Sequence, residues 1–148
     1  MIIRDARPDD LEAVVALLHE DVIREVDESG TPAEDYRAAY DEICADTHQN
    51  LLVGELDGRV VATAQLTWVR HMTYRGGLMC VVESVRVRSD LRGRGLGQEL
   101  MRHVLALARE LGAVRVELTT NASRVRARSF YEELGFVASH VGMKYYLG

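Results

Sequence analysis

Lysine is nearly missing from this chain: Lys144 stands alone, and arginine supplies the other 17 of the 18 basic residues. Cysteine, proline and phenylalanine occur twice each and tryptophan once. The two cysteines, Cys44 and Cys80, sit in unrelated segments without metal-ligand spacing. They allow one disulfide at most, and reduced thiols in a cytoplasmic protein are the expectation. Aromatics make up only 6% of the chain. With the basic residues spread over several elements, that leaves no platform for stacking bases, and no nucleic-acid partner is expected. No apolar run approaches the ~20 residues of a bilayer span, so no membrane partner is expected. The opening Met1-Ile2-Ile3-Arg4-Asp5 lacks the basic-then-apolar order of a secretory signal.

What is present fits one ordinary globular domain, expected over residues 1–148. Hydrophobic residues reach 47% and charged residues 28% of 148. The net charge of −5 conceals an asymmetry: residues 1–60 carry 5 basic against 16 acidic side chains (−11), and residues 61–148 carry 13 against 7 (+6). A basic half is suited to a polyanionic ligand. An acidic half is suited either to a cationic ligand or to solubility alone.

Periodicity and turn signals give an order of elements. Ile2–Asp5 reads as a strand. Asp9, with Glu12 three residues on, reads as a capping box opening a helix whose apolar face is Leu11, Val14, Val15 and Leu18. Thr31-Pro32-Ala33-Glu34 starts a second helix running to about Asp46, with Tyr36, Tyr40 and Ile43 inward. Between them Glu20 to Glu28 reads as helix continuation or loop. Strands at Leu51–Leu56 and Val60–Val69 flank Asp57-Gly58, a hairpin signal. A loop at Arg70–Gly77 leads to a strand at Met79–Arg88. An amphipathic helix follows over Gly95–Leu111, stopped by Gly112. Then come a strand at Val114–Thr119, a helix at Arg124–Leu134 closed by Gly135, and final strands at Phe136–Ser139 and Met143–Leu147. The expectation is an α/β (α+β) mixed sheet, β-α-α-β-β-β-α-β-α-β-β, with helices on both faces.

The most informative segment joins the Met79–Arg88 strand to the long helix: Ser89-Asp90-Leu91-Arg92-Gly93-Arg94-Gly95-Leu96-Gly97. Such a turn aims backbone N–H groups into one concavity at the positive end of a helix dipole, and glycines let a bulky anion approach closely. Arg92 and Arg94 add charge at the rim, as a pyrophosphate cradle requires; a glycine-rich turn without a ligand is the plainer reading. The segment lacks the Gly-Lys-Ser/Thr of a Walker loop, and Gln98 stands where the dinucleotide fingerprint needs glycine. The remaining pattern, Arg-x-x-Gly-x-Gly at Arg92, Gly95 and Gly97, resembles the coenzyme A loop of the GNAT acyltransferase superfamily. The run Asn121-Ala122-Ser123-Arg124 through Ala127, Phe130-Tyr131 and Gly135-Phe136 resembles that family's other main motif, in the expected order after the loop. The resemblance extends along the whole chain in element order and points to the small, stand-alone type.

The resemblance implies a sheet splayed between its fourth and fifth strands, with the pantetheine arm of acetyl-coenzyme A in the split. It also implies transfer of acetyl to a primary amine, without a metal. In it Arg92, Gly93, Arg94, Gly95, Leu96 and Gly97 hold the pyrophosphate. The main chain around Val85 and Val87 meets the acetyl carbonyl and pantetheine amides, and Asn121 and Arg124 lie near pantetheine or phosphate. Tyr131 is the implied general acid for the departing thiolate, set against a packing role for one of six tyrosines. Glu83 is the candidate base. By strict alternation it shares a face with Val81, Val85 and Val87, where a carboxylate is either raised in pKa, turned outward by a bulge, or paired with an arginine. His71, Tyr74 and His140 are secondary candidates. The acidic helices fall where the family forms its acceptor wall, so a cationic acceptor, small molecule or peptide, is one reading and a solvated face the other. A coenzyme A sensor without transfer and a protein N-terminal acetyltransferase are the alternative functions. Exposed C-terminal strands would favour a homodimer.

Overall fold

The computed structural model describes residues 1–20 and 27–148. Most of the Glu20–Glu28 stretch, left open between helix and loop, therefore lies outside the described residues. The elements run β1 (Ile2–Asp5), a 3₁₀ turn (Pro8–Asp10), α1 (Leu11–His19), α2 (Ala33–Ala45), β2 (Gln49–Leu56), β3 (Arg59–Arg70), a single turn α3 (Thr73–Gly76), β4 (Leu78–Val87), a second 3₁₀ turn (Ser89–Leu91), α4 (Leu96–Glu110), β5 (Ala113–Leu118) and α5 (Val125–Glu133). The sheet order is β1-β2-β3-β4-β5. The first four strands pair antiparallel in succession, and β5 runs parallel beside β4.

Local chemistry explains most boundaries. Asp57 (φ 51°) and Gly58 (φ 74°) both adopt the left-handed region, the geometry of the tight turn that matches strand twist. At the first helix the cap is Asp10, not the expected Asp9. Its carboxylate accepts the Arg7 N–H at 2.6 Å and is gripped by Arg4 at 2.7 and 3.1 Å, while Arg4 also holds Glu55. Asp10 wins because it alone reaches the guanidinium of β1 as well as the backbone. That guanidinium holds its carboxyl below the usual aspartate range.

One sheet face packs on α4. Ala62, Ala64 and Leu100 are fully buried there, with Ile3, Val85 and Val87 against them. On the other face Val53, Val61 and Thr63 are at most 1% exposed, and α1 and α2 provide the cover, touching β3 and β2. Burial of Cys80 on the α4 side pushes its thiol up to about 12, while Cys44 is exposed; both are free.

The chain divides into two compact units, Met1–Glu117 and Leu118–Gly148. In the second, α5 ends as expected at the left-handed Gly135. The two strands expected at Phe136–Ser139 and Met143–Leu147 do not form: residues 136–148 carry no strand. Their apolar and aromatic residues mark β potential only, and a ladder needs a partner edge to satisfy its backbone groups. The homodimer inferred from such strands has none to rest on among the described residues.

Candidate active site

β4 carries the first group of candidates, and its irregularity decides how they face. Gln65 on β3 lies opposite Glu83 and Thr63 opposite Arg86, so the single residue Ala64 opposes both Ser84 and Val85. Ser84 is the extra residue of a β-bulge, at φ 53°. Alternation is reset there. Glu83 keeps company with Val81 and Met79 on the face turned away from α4, whereas Val85 and Val87 pack on the α4 side. Strict alternation therefore does not hold here, and the outward turn at a bulge is the reading of Glu83 that the structure bears out: one inserted residue breaks the period of two. Glu83 is exposed, and no arginine pairs with it among the described residues.

Beyond Val87 the chain makes the 3₁₀ turn and enters α4 through two left-handed glycines, Gly93 (φ 78°) and Gly95 (φ 81°). Gly95 is the N-cap of this 15-residue helix, α4, and makes no side-chain cap, having no side chain. The first N–H groups of α4 therefore open into the concavity of the turn, where the helix dipole favours negative charge. No atom lies within 4 Å of where a Cβ on Gly93 or Gly95 would stand, so the glycines serve backbone conformation and leave the surface open. Arg92 is exposed and its Nε donates to the Val87 carbonyl at 3.2 Å; Arg94 is exposed beside it. The one carboxylate of the turn, Asp90, is neutralised by Arg88 at 2.6 Å, which holds Asp90 below its usual range. Glu20, at the end of α1, accepts the Ser89 N–H at 2.8 Å and ties that helix to the turn. These donors and cations fit a pyrophosphate: open N–H groups, a compensated acid and two mobile guanidinium groups.

The second unit holds the other motif. Asn121 Oδ1 accepts the Ser123 N–H at 2.9 Å and its hydroxyl at 2.7 Å, and the Asn121 carbonyl accepts the Arg124 N–H, folding the turn that launches α5. Asn121 thus has a local structural task. Tyr131 is partly buried, its ring edge-on to Phe130 at 5.0 Å and to Phe136 at 5.7 Å. The aromatic clasp fixes the ring through two faces of packing.

The secondary candidates lie in other segments of the chain. His71 sits in the β3–β4 connection with its Nε2 buried and unpartnered among the described residues. Tyr74 is held left-handed (φ 53°) with the Arg115 guanidinium 4.7 Å over its ring. His140 Nδ1 meets the Ser139 hydroxyl at 2.7 Å. A cleft of about 310 Å³ is lined by Thr47, His48, Asn50, Trp68, Arg70, Leu78 and Leu111. It lies at the opposite end of β4 and α4 from the glycine turn, and none of the candidates lines it. A row on the Glu83 face escaped sequence reading altogether: Gln65 Nε2 donates to Gln49 Oε1 at 3.0 Å, and Gln49 Nε2 to Asp46 Oδ2 at 2.9 Å. Only the strand register, invisible until the hairpin and bulge are placed, brings it together. Among the described residues no group of three or more His, Cys, Asp or Glu could hold a metal ion, and no helix is long and apolar enough to cross a membrane.

Comparison with known proteins agrees with this geometry. The model of the acetyltransferase (GNAT) family matches residues 15–136. The chain is 31% identical over 116 residues to glucosamine 6-phosphate N-acetyltransferase 1 of Oryza sativa subsp. japonica, covering 76% of this chain and 68% of the relative. It is 29% identical over 141 residues to aminoalkylphosphonate N-acetyltransferase of Salmonella typhimurium, covering 93% and 86%. Among solved structures it resembles a transcriptional regulator from Bacillus halodurans C-125, with a TM-score of 0.91, 37% identity and 99% of both chains covered. An uncapped helix behind a glycine turn, a bulged fourth strand and a parallel fifth, in a chain whose family match runs through both motifs, place this protein in the GNAT family as an acetyl-CoA-dependent N-acetyltransferase.

Proposed function

We propose that residues 1–148 act as one catalytic domain that transfers acetyl from acetyl-coenzyme A to the primary amine of a small molecule or peptide. The observation that carries this reading is the uncapped N-terminus of α4 behind the left-handed Gly93 and Gly95. In this reading Arg92, Gly93, Arg94, Gly95, Leu96 and Gly97 take the pyrophosphate, and the pantetheine arm runs between β4 and β5 along the main chain at Val85 and Val87. Asn121 and Arg124 meet pantetheine or phosphate.

The chemistry needs little beyond positioning, because the thioester is already activated. The acceptor ammonium gives one proton to Glu83, directly or through water, and the neutral amine adds to the thioester carbonyl. Collapse of the tetrahedral intermediate breaks the carbon–sulfur bond, and the amide nitrogen loses its remaining extra proton. The thiolate takes a proton from the Tyr131 hydroxyl, which bulk solvent restores. The net change converts ammonium and acetyl-coenzyme A into amide, coenzyme A thiol and one proton. Two relatives are named for amines, glucosamine 6-phosphate and aminoalkylphosphonate, which supports a small-molecule acceptor. The −11 balance of residues 1–60 supports a cationic group on it.

The test is thermal and then kinetic. Acetyl-coenzyme A raises the melting temperature of the wild type by mass action, and Gly95→Asp abolishes the rise. Thiol release with a panel of amines then shows transfer. No thermal shift at millimolar acetyl-coenzyme A would sink the cradle.

A further inference from the structure

Glu83 does not stand alone on its face of the sheet. Gln65 is its directly opposed neighbour on β3, and such pairs bring Cβ atoms within about 4.5–5.5 Å. The Gln65 amide is not free to choose which end it shows. Asp46, at the end of α2, can only accept, because its carboxylate also takes the His48 N–H at 2.8 Å and the Gln49 amide holds it below the usual aspartate range. Gln49 must therefore turn its NH₂ toward Asp46 and its Oε1 toward Gln65, and Gln65 must answer with its own NH₂. The direction of three side chains is set by one carboxylate. At the far end the Gln65 carbonyl oxygen is left pointing away from Gln49. Among the described residues neither that oxygen nor Glu83 has a partner, and neither is a buried orphan. Two neighbouring acceptors, the partly exposed Gln65 and the exposed Glu83, thus lie without partners among the described residues on the sheet face opposite α4.

We propose that Gln65 Oε1 and the Glu83 carboxylate together dock the ammonium of a primary alkylamine acceptor, with Asp46 and Gln49 as positioning residues that keep the Gln65 oxygen turned toward it. A pair of acceptors matches the three N–H donors of an ammonium, and discriminates against tertiary and quaternary amines, which offer one donor or none. The inference rests on the reading of the chain as an amine acetyltransferase.

The experiment is steady-state kinetics on the full chain with acetyl-coenzyme A and n-propylamine, ethanolamine, spermidine and a lysine-containing peptide as probes. Gln65→Leu is expected to raise the KM of every amine that turns over by about tenfold, the scale of one hydrogen bond to a charged group. The KM for acetyl-coenzyme A should stay within about twofold, as should the wild-type melting response to it. Gln65→Glu gives up the bond to Gln49 but presents an oxygen and a negative charge to the ammonium, so its amine KM should fall well below that of Gln65→Leu, which a packing role would not produce. Asp46→Asn should raise amine KM by a smaller factor, and should add nothing to Gln65→Leu, because both act through the same oxygen. An unchanged amine KM in Gln65→Leu, or an equal rise in the KM for acetyl-coenzyme A, overturns this inference and leaves the transferase reading standing. A melting response to acetyl-coenzyme A with no amine acetylated overturns that reading, and this inference with it.

Discussion

The two compact units of this chain divide labour unevenly. Residues 1–117 hold every buried side chain, including Leu66, Leu100, Met101 and Val104, none of them measurably exposed. Residues 118–148 hold no buried residue at all, yet they carry the longer of the two family motifs. In the second unit Val137, Val141, Met143, Tyr145 and Leu147 are more than 80% exposed. Motif density and burial are therefore separate properties here. The sheet and its helices hold the buried core, while the shorter unit carries one α-helix with an aromatic clasp, on which the proposed mechanism places its general acid.

That contrast can be broken by measurement. The largest effect is expected from Leu66→Ala, which empties a fully buried site and should cost about 2–5 kcal/mol in denaturant unfolding. Val137→Ala, at a site 82% exposed, should stay within about 0.5 kcal/mol. Equal costs would erase the distinction between the units. Next in size is Tyr131→Phe. It keeps the ring between Phe130 and Phe136, so folding and acetyl-coenzyme A affinity should survive. Turnover should fall by roughly 10²-fold at neutral pH, and by less at high pH where the thiolate leaves without help. Wild-type turnover in a folded variant removes Tyr131 from the mechanism.

A smaller effect separates two acids of the first unit, Asp10 and Glu83. Asp10 has a depressed pKa, so its contribution is complete at neutral pH and is lost as pH falls through the folded-state value, below the ordinary ~4. Asp10→Asn should therefore lower stability by about 1–3 kcal/mol at pH 7 and flatten the acid limb of unfolding below pH ~4. Glu83→Gln, on an exposed carboxylate without a partner among the described residues, should reduce turnover with a stability change within about 0.5 kcal/mol at pH 7. The smallest effect is ionic. If the acidic half draws a cationic acceptor, raising salt from about 0.05 to 0.5 M should raise the KM of spermidine severalfold and that of a neutral-bodied amine less. Equal responses would reduce the −11 balance to solubility.

Legibility in the sequence followed the range of the signal. The Asp57-Gly58 hairpin, the α4 stripe with its Gly112 stop and the glycine turn are written in contiguous residues, and each lies within a residue or two of its expected bounds. The Asp10 cap was misplaced by one position because its deciding partner, Arg4, belongs to another element. The C-terminal segments had the apolar and aromatic composition of strands, but a strand exists only where an edge receives it. Glu83 was picked as a chemistry-bearing residue, and of the readings open for its face the outward turn at a bulge is the one that formed; local sequence offered that reading but could not choose it, because the register of β3 decides it. The Asp46–Gln49–Gln65 row needed register across two strands and the end of a helix, information that no local pattern holds.

Ser84 has a consequence for how this family's genes can vary. In β4 it is a codon inserted into a two-residue reading frame of facing. Remove it, and Glu83 becomes the direct neighbour of Val85, with Ala64 opposing Val85 alone; both residues keep the faces they now have. A three-nucleotide deletion would thus straighten the strand without exchanging a single inward side chain for an outward one. The apolar faces of β4 would stay matched, and in the proposed mechanism the change would fall on the placing of Glu83 instead.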